Sequence, residues 1–323
     1  LVKDSIIGSI LLIFLPLVTN RINVINGAET TMKSTREGFI KVTGGKVWYK
    51  IVGGEQIGIP LLLLHGGPGC PHDYLEPLEA LANERPVIFY DQLGCGFSDR
   101  PTDTTLWRIE RFVEELQTVR KTLKLKKVHI LGQSWGTMLA VEYMLTRPAG
   151  VRSLIMSGPY LSTARFVADC RAYVEQLPDE HRQAILKGEA ERIYDSPEYQ
   201  TAMTLFYHRH VCRMDPWPDC FNRSFEKFGF GVYQYMWGPS EFTQTGTLQG
   251  HDLVSVLKNI CVPVLFSCGR YDEATPATTE YYHANLPGSE MVIFENASHA
   301  HHLEKTDEYL HVVRAFLNRT ESQ

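Results

Sequence analysis

The sequence predicts an α/β protein: a mostly parallel sheet with helices on both faces, interrupted before its last strands by a helical cap. Three observations carry this expectation. Short apolar runs alternate with amphipathic stretches from about residue 60 to residue 158, the pattern of strands buried on both faces and connected by crossover helices. The rhythm stops over 159–258 and resumes with apolar runs at 264–267 and 291–294. The chain has 323 residues, 44% apolar and 21% charged. That is an ordinary globular composition, long enough for one large domain with an insertion.

The elements follow in order. Residues 6–18 are nearly all apolar, bounded by Lys3-Asp4 and by Thr19-Asn20-Arg21. Such a run matches the apolar region of a secretory signal and falls short of the ~20 residues that span a bilayer. We therefore expect residues 1–28 to be a signal peptide, with Asn26-Gly27-Ala28 supplying small residues for cleavage, or else an uncleaved membrane anchor. Export, secreted or periplasmic, follows from the first reading, and membrane association only from the second. A cytoplasmic protein follows if the segment is neither. Asn222, Asn296 and Asn318 occupy N-x-[ST] sequons, relevant only in a source that glycosylates exported proteins.

Runs at 39–42 and 47–52 flank Thr43-Gly44-Gly45-Lys46 and read as a β-hairpin, the glycine pair being free to take positive φ. Runs at 61–64, 87–90, 128–131 and 154–156 read as buried parallel strands. Helical patterns lie at 110–123 and 137–145, and a last helix at about 307–317. This divides the chain into a core, 37–158 and 259–319, and a cap, 159–258. The cap is aromatic-rich, with Tyr207, Trp217, Phe221, Phe225, Phe228, Tyr233, Tyr235 and Trp237, most of them expected to pack within it.

Composition also excludes. Net charge is −5 with no extended Lys/Arg run, so a nucleic-acid partner is not expected. The seven cysteines, Cys70, Cys95, Cys170, Cys212, Cys220, Cys261 and Cys268, form no C-x-x-C pair. Neither a zinc site nor a redox dithiol is suggested, and no metal or organic cofactor is implied. They read as small buried hydrophobes, with a Cys212–Cys220 bridge as the alternative in an exported protein.

The chemistry begins at Gly132-Gln133-Ser134-Trp135-Gly136, which follows an apolar run and precedes a helical pattern. This is G-x-S-x-G in the strand–turn–helix context of a nucleophile elbow, the hallmark of the α/β-hydrolase fold. A serine hydroxyl needs a base to take its proton, and the base needs an orienting acid. In this fold the chain order is Ser, acid, His. Asp272 follows the run at 264–267 and His299 follows the run at 291–294, both where open α/β sheets place their sites. Ser134, Asp272 and His299 are thus the expected triad. His301 and His302 remain alternatives for the base, and Glu273 for the acid. His65-Gly66-Gly67-Pro68-Gly69 follows the run at 61–64, where the fold supplies an oxyanion donor. The N–H groups of Gly67 and Trp135 are the expected pair.

With these residues in hand, the chain resembles the prolyl aminopeptidase (proline iminopeptidase) family, in particular its tricorn-interacting archaeal branch. The likeness extends over about 38–317. It rests on HGGPG at 65–69, FYDQLGCGFSD at 89–99, GQSWG at 132–136 and GRYDEATP at 269–276. PEYQ at 197–200, FYHRH at 206–210, GPSEFTQTGT at 238–247, and His299 followed by Glu304 also match. The resemblance implies release of an N-terminal residue, often proline, from short peptides. It also carries an amine-binding role onto Glu241 and Glu273, which fits the cost of burying an ammonium without a carboxylate partner. Otherwise Glu241 is a solvated cap residue and Glu273 pairs with Arg270. An esterase, lactonase or small-molecule amidase on the same triad is the alternative function. A catalytically dead binding protein is a second alternative, at odds with a complete triad. Haloalkane dehalogenases and epoxide hydrolases use a carboxylate where this chain has Ser134.

Overall fold

The computed structural model describes residues 34–322. The apolar run at 6–18 and the expected cleavage region lie outside them. Among the described residues, no helix is long and apolar enough to cross a membrane.

Eight strands form one sheet: β1 (Thr35–Val42), β2 (Gly45–Val52), β3 (Leu61–Leu64), β4 (Val87–Tyr90), β5 (Val128–Gln133), β6 (Val151–Ser157), β7 (Val264–Gly269) and β8 (Glu290–Phe294). Their spatial order is β1-β2-β4-β3-β5-β6-β7-β8. β1, β2 and β4 pair antiparallel, and every other pair is parallel. The hairpin forms, but pairing runs in to Val42 opposite Gly45 and leaves Thr43-Gly44 alone as the turn, with Gly44 at φ +96°. β3, β4, β5 and β7 are buried at every position, which is why they read as continuous apolar runs.

Helices cover the sheet through apolar stripes at helical spacing. α1 (Ile109–Thr122) buries Phe112, Val113, Leu116 and Val119. α2 (Trp135–Leu145) is buried nearly all round, and its pattern was therefore the hardest to delimit. It begins two residues before the expected 137, and β5 runs two residues past the expected 131, so the elbow is tighter than the sequence suggested.

Between β6 and β7 the chain runs through α3 (Thr163–Val174), α4 (Asp179–Glu191), α5 (Pro197–His210), α6 (Asp219–Glu226) and α7 (Phe230–Met236). No strand of the sheet interrupts them. Residues 178–204 form a compact unit of their own, in which the Tyr194 and Tyr199 rings meet edge to face. In the larger unit, Trp217 stacks on Phe225, Phe225 on Phe228, and Phe228 meets Tyr233 edge to face. Tyr235 is an exception to the expected packing, being exposed.

After β7, α8 (Pro276–Ala284) starts with Thr275 accepting from the Thr278 N–H and Pro276 in its first turn, a well-capped start. A single turn, α9 (His301–Glu304), leads into α10 (Thr306–Glu321), whose Tyr309, Leu310, Val313, Phe316 and Leu317 join Leu63, Leu131, Ile155, Leu265 and Phe294 in the main core. Fully burying one such side chain stabilises by roughly 1.5–3 kcal/mol. All seven cysteines are free. The Cys212–Cys220 bridge is absent, and only Cys261 is exposed.

Candidate active site

Ser134 is the single residue between β5 and α2. It holds φ +53° and ψ −122°, a conformation that L-residues avoid at about 1–3 kcal/mol. The turn closes because its flanks carry no side chains. A Cβ on Gly132 would stand 2.4 Å from the Gly136 carbonyl oxygen, and one on Gly136 would stand 2.1 Å from that of Leu64. The Ser134 N–H donates to Ser157 at 2.9 Å, tying the elbow to the end of β6.

Asp272 and His299 leave the ends of β7 and β8 and meet there. The buried Asp272 Oδ1 lies 2.7 Å from His299 Nδ1 and accepts from the Ala274 N–H at 2.8 Å. Its Oδ2 accepts from the Gly269 N–H at 3.3 Å. This fixes His299 with its proton on Nδ1 and Nε2 free to accept one. Burial opposes a charged His299 ring, but the nearby carboxylates of Asp272 and Glu241 outweigh it and hold its pKa above the usual value. No hydrogen bond joins Nε2 to the Ser134 hydroxyl among the described residues, and such contacts often tighten only when substrate binds. Glu304 secures the His299 loop, accepting from the Ser298 N–H and hydroxyl and from the Arg213 N–H.

The two competing histidines are engaged elsewhere. His301 Nε2 faces the Ser157 and Ser267 hydroxyls at 2.9 and 3.1 Å, and His302 Nε2 faces the Tyr74 carbonyl at 3.1 Å. Burial lowers their pKa values to about 4 and about 3, so both are neutral. Glu273 does not orient His299 Nδ1 either. Its Oε1 stands 3.8 Å from Nε2, the opposite side of the ring.

Glu273 is buried, and its Oε2 has no hydrogen-bond partner. Burial first, then the charges of Glu241 and Asp272, push its pKa well above the ordinary range. The expected alternative pairing with Arg270 does not form, because Arg270 pairs with Glu295. Glu241 is only partly exposed and accepts from the Tyr233 hydroxyl at 2.7 Å, and burial raises its carboxyl too. Two carboxylates and the reacting face of His299 thus influence one another electrostatically, with no cation of the protein between them in the hydrogen bonds they make.

On the other side of the elbow, Gly67 takes φ +107°, and a Cβ there would stand 2.3 Å from the Gly69 nitrogen. The preceding N–H, that of Gly66, donates to the Tyr74 hydroxyl. Trp135 opens α2, where an N–H has no partner within the helix. Its indole donates to Gln92, whose amide donates to the His65 carbonyl. Gly67 lies in the loop after β3 and Trp135 directly follows Ser134, and backbone N–H groups so placed can stabilise a developing oxyanion.

Sequence reasoning missed Tyr74, Gln92 and Gly158, and it read Tyr233 as packing alone. Gly158 follows β6 at φ +55°, and a Cβ there would lie 2.6 Å from His299 Cε1. A glycine immediately after a buried strand was the available signal. Tyr74 and Gln92 act through hydrogen bonds between distant segments, and Tyr233 through one to Glu241 eight residues on, none of which a local pattern reveals. Among the described residues, His72, Asp73 and Glu76 bring potential metal ligands together, but Asp91 takes His72 Nδ1 and Lys227 takes Asp73.

A family model described as the alpha/beta hydrolase fold matches residues 59–306. The proline iminopeptidase of Heyndrickxia coagulans is 46% identical over 283 residues, covering 87% of this chain and 98% of that protein. The crystal structure of proline iminopeptidase from Mycobacterium smegmatis superposes with a TM-score of 0.81 at 34% identity, over 88% of this chain and 98% of that one. The crystal structure of VinJ does so with a TM-score of 0.85 at 35% identity, over 88% and 99%. Fold, elbow geometry and near full-length similarity agree: the chain is a serine hydrolase that belongs to the proline iminopeptidase family of α/β-hydrolases.

Proposed function

We propose that this enzyme releases an N-terminal residue, proline in preference, from short peptides through an acyl-enzyme formed on Ser134. The reading rests above all on the buried Glu273, whose unpartnered Oε2 and neighbour Glu241 set two carboxyl groups beside the reacting face of His299, where a bound ammonium would favour their ionised form. An N-terminal proline is a secondary ammonium with two N–H donors, and two carboxylates meet both. An internal peptide bond has no such charge, so the pair selects for a chain end.

In this mechanism His299 Nε2 takes the Ser134 proton as Oγ bonds to the carbonyl carbon of the first residue. The carbonyl electrons move to oxygen, where the Gly67 and Trp135 N–H groups receive the charge. Asp272 steadies the imidazolium. The intermediate collapses, the C–N bond breaks, and His299 gives its proton to the departing amine. Water then attacks the acyl-enzyme with His299 again as base, freeing the residue and Ser134. Glu241 comes from the segment between β6 and β7.

The test is a panel of Pro, Ala, Leu and Phe arylamides, each free and N-acetylated, beside p-nitrophenyl acetate. Free Pro-arylamide is expected to be the best amide substrate and its acetylated form inert, with Ser134→Ala inactive throughout. Equal cleavage of free and acetylated amides would replace this reading with an esterase or general amidase. We also propose that the apolar run at 6–18 directs export. Native protein is then expected to begin after about Ala28, and N-terminal sequencing that finds residues 1–28 intact in a cytosolic fraction would refute it.

A further inference from the structure

We propose that Tyr74 is a positioning residue for the oxyanion pocket, its hydroxyl joining the loop that carries Gly67 to the turn that carries Ser134 and Trp135. The Gly66 N–H donates to the Tyr74 hydroxyl at 2.7 Å, and that hydroxyl donates to Gln133 Oε1 at 2.6 Å. The polarity is forced. A backbone N–H can only donate and an amide oxygen can only accept, so the phenol must do one of each. Gly66 immediately precedes Gly67, and Gln133 immediately precedes Ser134. One buried oxygen therefore sets the spacing between two segments, β3–loop and β5–elbow, that must each present a donor to the same atom.

The closeness of the two segments makes this spacing exacting. A Cβ on Gly66 would lie 2.6 Å from Gln133 Oε1 and 3.1 Å from Ser134 Cβ. The link also decides which donor is available. With its N–H engaged by Tyr74, Gly66 is removed from the pocket, whereas the Gly67 N–H makes no hydrogen bond among the described residues. Tyr74 is itself held on three sides. Its N–H donates to the Ser224 hydroxyl at 2.9 Å, its carbonyl faces His302 Nε2 at 3.1 Å, and its ring meets the His302 ring edge to face. Burial keeps the phenol protonated, so it remains a donor to Gln133 at any working pH. A hydroxyl anchored this way has little freedom, and a donor displaced by about 1 Å costs on the order of a hundredfold in rate.

The role rests on the serine-hydrolase chemistry above but not on the peptidase specificity, and the test separates the two. Tyr74→Phe keeps the ring and deletes the link. Gln133→Met removes only the far acceptor and guards against a Tyr74 variant that fails to fold. Each is measured with Pro-arylamide and with p-nitrophenyl acetate, and with a small alkyl boronic acid, whose tetrahedral serine adduct mimics the oxyanion. Tyr74→Phe is expected to lower kcat on both substrates about 10–100-fold with KM within about twofold, and to weaken the boronate by a similar factor. The acid limb of the pH profile, which reports His299, is expected to stay in place. Gln133→Met is expected to move the same parameters in the same direction by less, and the double variant to be no worse than Tyr74→Phe alone. If kcat and boronate affinity stay within twofold in Tyr74→Phe, or in Gln133→Met should the first not fold, the proposal is wrong. Additive losses in the double variant overturn it as well. Failure of Pro-arylamide alone to be cleaved would count against the peptidase reading and leave the ester and boronate measurements to decide this one.

Discussion

Glu273 Oε1 stands 3.8 Å from His299 Nε2, on the side of the ring that Asp272 leaves open. The general base and the carboxyls proposed to bind the amine are therefore coupled. Negative charge on Glu241 raises the His299 pKa in the free enzyme, and an ammonium bound between the carboxylates cancels that charge. The base must be neutral to act, so activity falls as pH drops through its pKa. We expect the acid limb of kcat/KM, which reports the free enzyme, to lie at higher pH than the acid limb of kcat, which reports the complex. Glu241→Gln should move the kcat/KM limb for an uncharged ester to lower pH. Coincident limbs in the wild type would mean that amine binding does not reach His299.

Burial of the unpartnered Glu273 carboxyl destabilises the empty enzyme once that group ionises. Its folded pKa is raised well above the ordinary value. Between the unfolded and the folded pKa, the folded state binds the extra proton, so stability falls as pH rises through that window. Glu273→Gln removes the ionisation. We expect the variant to melt above the wild type at pH 8, by about 2 °C for each kcal/mol relieved, with the gap closing toward pH 4. Aminopeptidase activity should fall at the same time. Thermal melts from pH 4 to 8 check both, and a wild type more stable than the variant at pH 8 would contradict the assignment.

How much of this was legible beforehand follows from what a sequence encodes locally. The parallel strands announced themselves because burial on both faces removes polar residues, and the elbow because two glycines must flank a residue with positive φ. Asp272 and His299 were legible from position, each lying just beyond a strand end. The bounds of β5 and α2 were not, because α2 is apolar on every face and leaves no stripe to delimit it. The bridge from Gly66 through Tyr74 to Gln133 was invisible for a different reason: its groups are 8 and 59 residues apart, and a single tyrosine among many carries no spacing signal. Glu241 stood out only through resemblance, and Glu273 otherwise only as an alternative acid beside Asp272, since a lone glutamate reads as solvated until its burial is known.

Gly158 offers a test of how closely His299 is packed. Its φ of +55° disfavours any side chain, and a Cβ would sit 2.6 Å from His299 Cε1 and 2.7 Å from Nδ1. The β6 end itself is held by the Ser134 N–H and by the Gly158 N–H donating to Ser267 at 2.8 Å, so the imidazole is the group that must yield. We expect Gly158→Ala to fold with a loss of about 1–2 kcal/mol from the left-handed backbone and to lose roughly a hundredfold in kcat as the ring is displaced. Substrate affinity, which we propose Glu241 and Glu273 set, should change far less. Normal kcat in a folded Gly158→Ala would show that the ring has room to adjust.

The amine clamp makes the sharpest prediction because it separates substrates rather than variants. Glu241 is aligned by the Tyr233 hydroxyl at 2.7 Å, and Glu273 is fixed by burial beside the base. Each hydrogen bond to a charged group contributes roughly 1.5–3 kcal/mol, equivalent to about tenfold to more than a hundredfold in kcat/KM. Glu241→Gln should therefore depress turnover of Pro-arylamide by that order while hydrolysis of p-nitrophenyl acetate, which carries no ammonium, changes little. The ester is the internal control, since damage to Ser134, His299 or the oxyanion donors would slow both reactions together. Lowering the pH should also narrow the difference between wild type and variant on Pro-arylamide, because protonation of the raised carboxyls gives the wild type the same neutral groups. A variant that loses both activities in parallel would move Glu241 from amine recognition to support of the triad.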